Sequence, residues 1–178
     1  AKLDVPTASY TRFVRHRPKL RNTHAVVDLD KLDIAVLDEL QADGRMTSAE
    51  LADRVGLSPS AALRRVRRLE EAGVIDRYVM LIDPVAIGRT VSVFIEVSLS
   101  SQSEHLLDEF EAAIAQTPEV MSCHLMAGDA DYLVHVVCVD VADYERIHRQ
   151  TLASLPHVSR LRTSFSIREV CNRTNFQL

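Results

Sequence analysis

The stretch Thr47–Gly73, TSAELADRVGLSPSAALRRVRRLEEAG, decides how the chain around it is read. It reads as two helices joined by a tight turn, the second rich in arginine. Ser48 is a candidate N-cap for a short helix through Arg54, with Ala49, Leu51, Ala52 and Val55 on its inner side. Gly56 supplies a residue that accepts the left-handed conformation in which helices commonly end. Leu57 anchors the turn, and Ser58-Pro59 pairs an N-cap oxygen with proline at the first helical position. Beyond it, Ala62, Leu63, Val66 and Leu69 fall at the spacing of one buried stripe.

The opposite face of that second helix carries Ser60, Ala61, Arg64 and Arg68, with Arg65 and Arg67 on its shoulders. Short side chains in the first turn let a backbone approach base edges, and the guanidinium groups that follow reach guanine or phosphate. Ser58, Ser60, Ala61, Arg64, Arg65, Arg67 and Arg68 are therefore the candidate contacts to double-stranded DNA. A basic helix face is more often simply solvated, but solvation does not explain the shorter helix and the Gly-Leu-Ser-Pro turn just before it. An earlier helix begins near Asp30, a candidate N-cap with Asp33 three residues on. Its inner stripe is Leu32, Val36, Leu37 and Leu40, and Asp43-Gly44 closes it. Three helices in about 45 residues are the minimum that buries a helix-turn-helix core.

A chain of 178 residues has room for one large domain or two small ones, and 47% hydrophobic residues argue against disorder. The formal net charge of −4 does not advertise nucleic-acid binding, but its distribution is uneven. Residues 1–27 hold six Lys/Arg against one acidic residue, net +5, residues 28–78 are net −3, and residues 79–178 are net −6. A basic arm (residues 1–28), suited to little fixed structure and to DNA contact, thus precedes an acidic body whose arginines gather in one helix. DNA binding by such a chain relies on local charge and weakens with salt. Cys123, Cys138 and Cys171 are odd in number and lack CxxC spacing, which fits a reducing cytosol. No stretch approaches about 18 consecutive apolar residues, so no membrane span is expected. The N-terminus shows no apolar signal core, and a cytoplasmic protein is expected.

Past Gly73 the text becomes VIDRYVMLID, β-rich and partly alternating, so a strand is expected to leave the helices at Val74. Asp83-Pro84 and Gly88 break it, which sets a helix-turn-helix domain over 29–78, a linking strand or hinge over 79–89, and a second domain over 90–178. Residues 90–99 alternate as a strand. A Ser101-x-x-Glu104 start opens a helix with its stripe at Leu106, Leu107, Phe110, Ala113 and Ile114, stopped by Pro118. Strands over 120–126 and 131–139 flank a turn at Ala127–Ala130. A helix over Ala142–Leu155 shows Tyr144, Ile147, His148, Thr151 and Leu152 along one side, and Val158–Val170 is the last strand. The order strand, helix, strand, strand, helix, strand is the ferredoxin-like βαββαβ arrangement, with two helices on one sheet face. The chain is thus α+β, and the uncovered sheet face predicts a homodimer.

LDKLDIAVLDELQADGRMTSAELADRVGLSPSAALRRVRRLEEAGVI, AGDADYLVHV and LPHVSRLRTSFSIREV resemble the Lrp/AsnC family of feast/famine transcription regulators over about residues 29–172. The resemblance implies a (winged) N-terminal helix-turn-helix and a C-terminal RAM-type domain. It also implies that this domain binds an amino acid and assembles as dimers and larger rings such as an octamer. It places effector binding at the loop Gly128, Asp129, Ala130, Asp131 and Tyr132, at a seam between dimers. Where Ala130 stands, an aromatic is frequent in relatives.

The loop has a chemistry suited to that role. An amino acid presents a carboxylate and an ammonium on one carbon, so it needs backbone N–H donors beside a carboxylate acceptor. Glycine at 128 permits close approach, and Asp131 can accept from the ammonium. Turn statistics alone would make this an ordinary hairpin. Cys123, His124, His135 and Cys138 invite a metal reading, but residues three apart on a strand face opposite ways, so core or surface histidines are the better reading. No Ser-His-acid set, P-loop or dinucleotide fingerprint is present, and no cofactor is expected. Two other classes stand beside the regulator. A sirohaem-decarboxylase-like enzyme would hold a tetrapyrrole in the second domain but would not need the arginine-lined helix. A protein–protein adaptor would show no DNA binding at low salt.

Overall fold

The computed structural model describes residues 26–178, so nearly all of the basic arm lies outside the described residues. Two compact units result, one spanning Ile82–Glu169 and one formed by residues 26–81 together with Val170–Leu178.

The second of these units is helical: α1 (Lys31–Ala42), α2 (Ser48–Val55) and α3 (Pro59–Glu71). Each begins on a side-chain cap. Asp30 accepts from the Asp33 amide at 2.8 Å while Asp33 accepts from the Asp30 amide at 3.1 Å. α2 is capped one residue earlier than expected, by Thr47 rather than Ser48. The reason is reciprocal bonding: Thr47 Oγ1 accepts from the Glu50 amide at 3.2 Å and Glu50 answers the Thr47 amide at 2.8 Å. A cap at Ser48 would put Leu51 in the answering position, where it has no oxygen to offer. α2 ends on Gly56 at φ 69°, and Ser58 Oγ accepts from the Ala61 amide at 3.3 Å to start α3 on Pro59.

Val36, Leu37, Leu51, Ala52, Ala62 and Leu69 form the core of this unit. Two leucines expected there are not in it, for Leu32 stays 36% and Leu63 38% exposed. On a wheel centred on Ala62, Val66 and Leu69, Leu63 stands about 100° away whereas Arg65 stands about 60° away on the other side. The stripe is therefore flanked by an arginine rather than closed by a leucine, and on α1 Asp33 takes the buried place expected for Leu32. Within the same unit the terminal segment lies along α1. Gln41 Oε1 accepts from the Phe176 amide at 2.7 Å and Gln41 Nε2 donates to the Phe176 carbonyl at 3.2 Å.

The strand expected from Val74 does not form. Among the described residues, 74–90 pair with no other segment. Val74 and Ile75 pack on the helical core, but Val79, Met80, Leu81 and Ile82 are 63%, 82%, 69% and 57% exposed. A β-rich composition makes a strand only where a ladder partner meets its backbone groups, and the described residues provide none here.

The other unit follows the expected order: β1 (Val91–Leu99), α4 (Glu104–Ile114), β2 (Val120–Leu125), β3 (Tyr132–Cys138), α5 (Val141–Gln150), a 3-10 turn at Leu152–Ser154, and β4 (Val158–Phe165). The strands lie in the order β2-β3-β1-β4, all neighbours antiparallel. Val93, Ile95, Val97, Val134 and Val136 point to the helices and pack with Phe110, Ile114 and Ile147. Full burial of each such side chain stabilises by about 1.5–3 kcal/mol. α4 begins after Ser103 rather than Ser101, and β4 ends at Phe165 instead of running to Val170. The opposite sheet face is mixed rather than apolar. Phe94 stacks on His135 at 4.6 Å, Ser92 Oγ lies 2.8 Å from His135 Nε2, and Arg162 faces Glu96 at 3.6 Å.

Candidate nucleic-acid interface and effector loop

The short α2, the left-handed Gly56 and the Ser58 cap together set α3 at the surface with its first turn open to solvent. Ser58 Oγ is spent on that cap and lies 3.2 Å from Ser60 Oγ. The arginines of α3 divide into two pairs. Arg64 and Arg67 are exposed and have no carboxylate partner among the described residues. Arg65 Nη1 donates at 2.7 Å to both Asp30 Oδ2 and Asp33 Oδ1, and Arg68 Nη2 donates to Asp33 Oδ2.

Asp33 is the centre of that cluster. Its residue is 0% exposed, and burial alone would raise its carboxyl. The Arg65 hydrogen bond, the Asp30 amide and Arg68 outweigh burial and hold it below the ordinary range. The hydrogen bonds to Asp30 and Asp33 raise the Arg65 guanidinium in turn. Arg65, expected on the shoulder of the DNA face, is therefore tied to α1. A wheel reading carried one step further would have found Arg65, about 60° from the buried stripe, but not Arg68, which stands about 130° from it, as far as Arg67 does on the other side. Asp33 carried a weaker signal: it stood in the capping position, with nothing local to show that two arginines from α3 would reach it.

The loop between β2 and β3 is held from beneath. The Met126 amide donates to the Asp131 carbonyl at 2.8 Å, and the Asp131 amide donates to the Val97 carbonyl at 2.9 Å. The Asp131 carboxylate is buried, accepting from the Leu99 amide at 2.7 Å and from Gln102 Nε2 at 2.6 Å. Tyr132 is also buried, its hydroxyl donating to Glu111 at 2.9 Å and its ring 4.6 Å from Phe110. Burial raises the Tyr132 phenol, and raises the neighbouring Cys123 thiol to about 12, so neither ionises near neutral pH. Of the expected effector residues, Gly128 and Asp129 are exposed and Ala130 is half-buried, while Asp131 and Tyr132 point inward. A Cβ on Gly128 would meet nothing within 4 Å, so packing inside the chain does not require glycine there. Gln102, in the β1–α4 connection just before α4, could not be found from the sequence because a glutamine in a serine-rich run carries no local signal. Among the described residues no group of three His, Cys, Asp or Glu is placed to hold a metal ion.

Residues 29–76 match the winged helix-turn-helix DNA-binding family, and residues 92–176 match the Lrp/AsnC ligand binding domain, a match that runs past Glu169 into the terminal segment. The leucine-responsive regulatory protein of Salmonella typhimurium is 41% identical over 143 residues, 80% of this chain and 87% of that protein. An HTH-type transcriptional regulator of Sinorhizobium fredii is 47% identical over 116 residues, 65% of this chain and 91% of that protein. Among solved structures, a Neisseria meningitidis transcriptional regulator in complex with L-Met superimposes with a TM-score of 0.80 at 35% identity. The match covers 84% of this chain and 97% of that one. The chain belongs to the Lrp/AsnC family, and it is a DNA-binding transcriptional regulator with a ligand-binding domain.

Proposed function

We propose that α3 enters the major groove of duplex DNA N-terminus first, presenting Ser60 and Ala61 to base edges and Arg64 and Arg67 to guanine or phosphate. The observation that carries this is the division of the arginines: those two are exposed and unpaired among the described residues, whereas Arg65 and Arg68 are answered by Asp33. DNA affinity is adjusted by an α-amino acid taken at the loop 126–131, with Gly128, Asp129 and Ala130 facing it. Asp131 holds the loop in place through Leu99 and Gln102. The L-Met bound by the Neisseria relative supports an amino acid as the class of ligand.

The regulator assembles as a homodimer and higher oligomers such as an octamer. The exposed apolar run Val79–Ile82 and the stacked Phe94–His135 pair on the open sheet face favour such association. It acts in the cytoplasm and is not an enzyme; no helix among the described residues is long and apolar enough to cross a membrane, and the relatives are transcriptional regulators. The test is fluorescence anisotropy on a duplex selected by the protein from a randomised library, repeated with each common amino acid. At least one amino acid, with methionine and leucine the first to try, shifts DNA affinity by about 5- to 150-fold, the usual range of such coupling. Calorimetric binding of none of them would contradict the effector reading while leaving DNA binding standing.

A further inference from the structure

Two of the four arginines on α3 meet carboxylates before any DNA arrives, and the burial of one carboxylate makes that pairing hard to undo. Asp33 is fully buried and accepts from both Arg65 and Arg68; Asp30, whose side chain is 52% exposed, shares only Arg65. A guanidinium that leaves Asp33 for a phosphate leaves behind a buried carboxylate with one donor fewer, which is costly. We infer that Asp33 is a specificity-setting residue: it keeps Arg68, and with Asp30 also Arg65, off the phosphate backbone, so that α3 engages DNA through Arg64 and Arg67. The inference rests on the reading of α3 as the DNA-facing helix.

The physical consequence concerns sequence discrimination. Attraction between arginine and phosphate carries no base information and adds equally to every duplex. Two further free guanidinium groups on α3 would raise affinity for arbitrary DNA and narrow the gap to the preferred site. Arg68 shows why composition alone misleads here. Its side chain is 54% exposed and within a turn of Arg64, yet it is already neutralised from behind.

The test measures how affinity falls with salt for a duplex selected by the wild-type protein from a randomised library and for a scrambled duplex of equal length. Asp33→Asn frees Arg68. It should steepen the slope of log K against log salt by about 0.9, the value for one additional phosphate contact. Affinity for the scrambled duplex should rise several-fold, and the ratio between the two duplexes should narrow. Asp30→Asn should change neither quantity, because Arg65 keeps Asp33. Arg68→Gln should leave both slopes unchanged and both affinities within about twofold, since no phosphate contact is lost.

A slope that falls by about 0.9 in Arg68→Gln would put that guanidinium on a phosphate in the wild type and overturn the inference. Equal weakening of both duplexes by Asp33→Asn, at an unchanged slope, would overturn it too and leave Asp33 a packing residue. If Asp33→Asn does not fold, as circular dichroism would show, Arg68→Gln decides alone. Failure of the underlying reading looks different: the slope would then be unmoved by the paired change Arg64→Ala and Arg67→Ala.

Discussion

Two aspartates carry much of the logic of this molecule, and both face inward. Asp33 draws two arginines of α3 toward α1, and Asp131 joins the β2–β3 loop to the end of β1 and the start of α4. Asp131 had a second possible role, as acceptor for an effector ammonium, and the two roles separate by stability. Asp131→Ala strips the Leu99 amide of its acceptor in a buried place, a loss of about 1–3 kcal/mol. The melting temperature of the protein should fall by several degrees, since about 1 kcal/mol moves a domain of this size by about 4–8 °C. Scanning calorimetry gives that number directly. An unchanged melting temperature together with a lost effector response would return Asp131 to the ligand.

At the scale of elements, the glycines distinguish conformational need from ligand access. Gly56 ends α2 at φ 69° with open space where a Cβ would stand, so only backbone strain opposes a side chain there. Gly56→Ala should destabilise by about 1–2 kcal/mol in urea unfolding, the cost of a left-handed non-glycine residue. Gly128→Ala should be close to neutral in the same assay, because its φ lies outside the left-handed region and a Cβ there meets nothing within 4 Å. A large loss at Gly128 would mean that the loop needs glycine for its own fold. The same contrast explains what the sequence could tell. Helix ends are local events, so Gly56, Ser58-Pro59 and Asp30 were legible, and even the shift from Ser48 to Thr47 lies in one capping box. The βαββαβ order was legible because its periods alternate cleanly along the chain. The run 74–83 was not legible as a non-strand because a strand depends on a partner elsewhere, and none stands among the described residues. The exchange of Leu32 for Asp33 in the helical core was hidden for a related reason, as it is fixed by arginines 32 and 35 residues away.

Across the whole molecule, charge is placed rather than accumulated. The chain is formally −4, and its described body beyond the helices is acidic, so attraction to DNA depends on where its cations stand rather than on net charge. What remains is a helix whose exposed cations without a carboxylate partner among the described residues are Arg64 and Arg67, on a unit that matches winged helix-turn-helix DNA-binding domains. The measurement that tests this most directly is the salt dependence of binding to the selected duplex for the variant carrying both Arg64→Ala and Arg67→Ala. Affinity should fall at least tenfold, and the slope of log K against log salt should shrink by about 0.9 if one arginine meets a phosphate and about 1.8 if both do. Unchanged affinity and an unchanged slope in a folded double variant would contradict the account and move the DNA interface off α3.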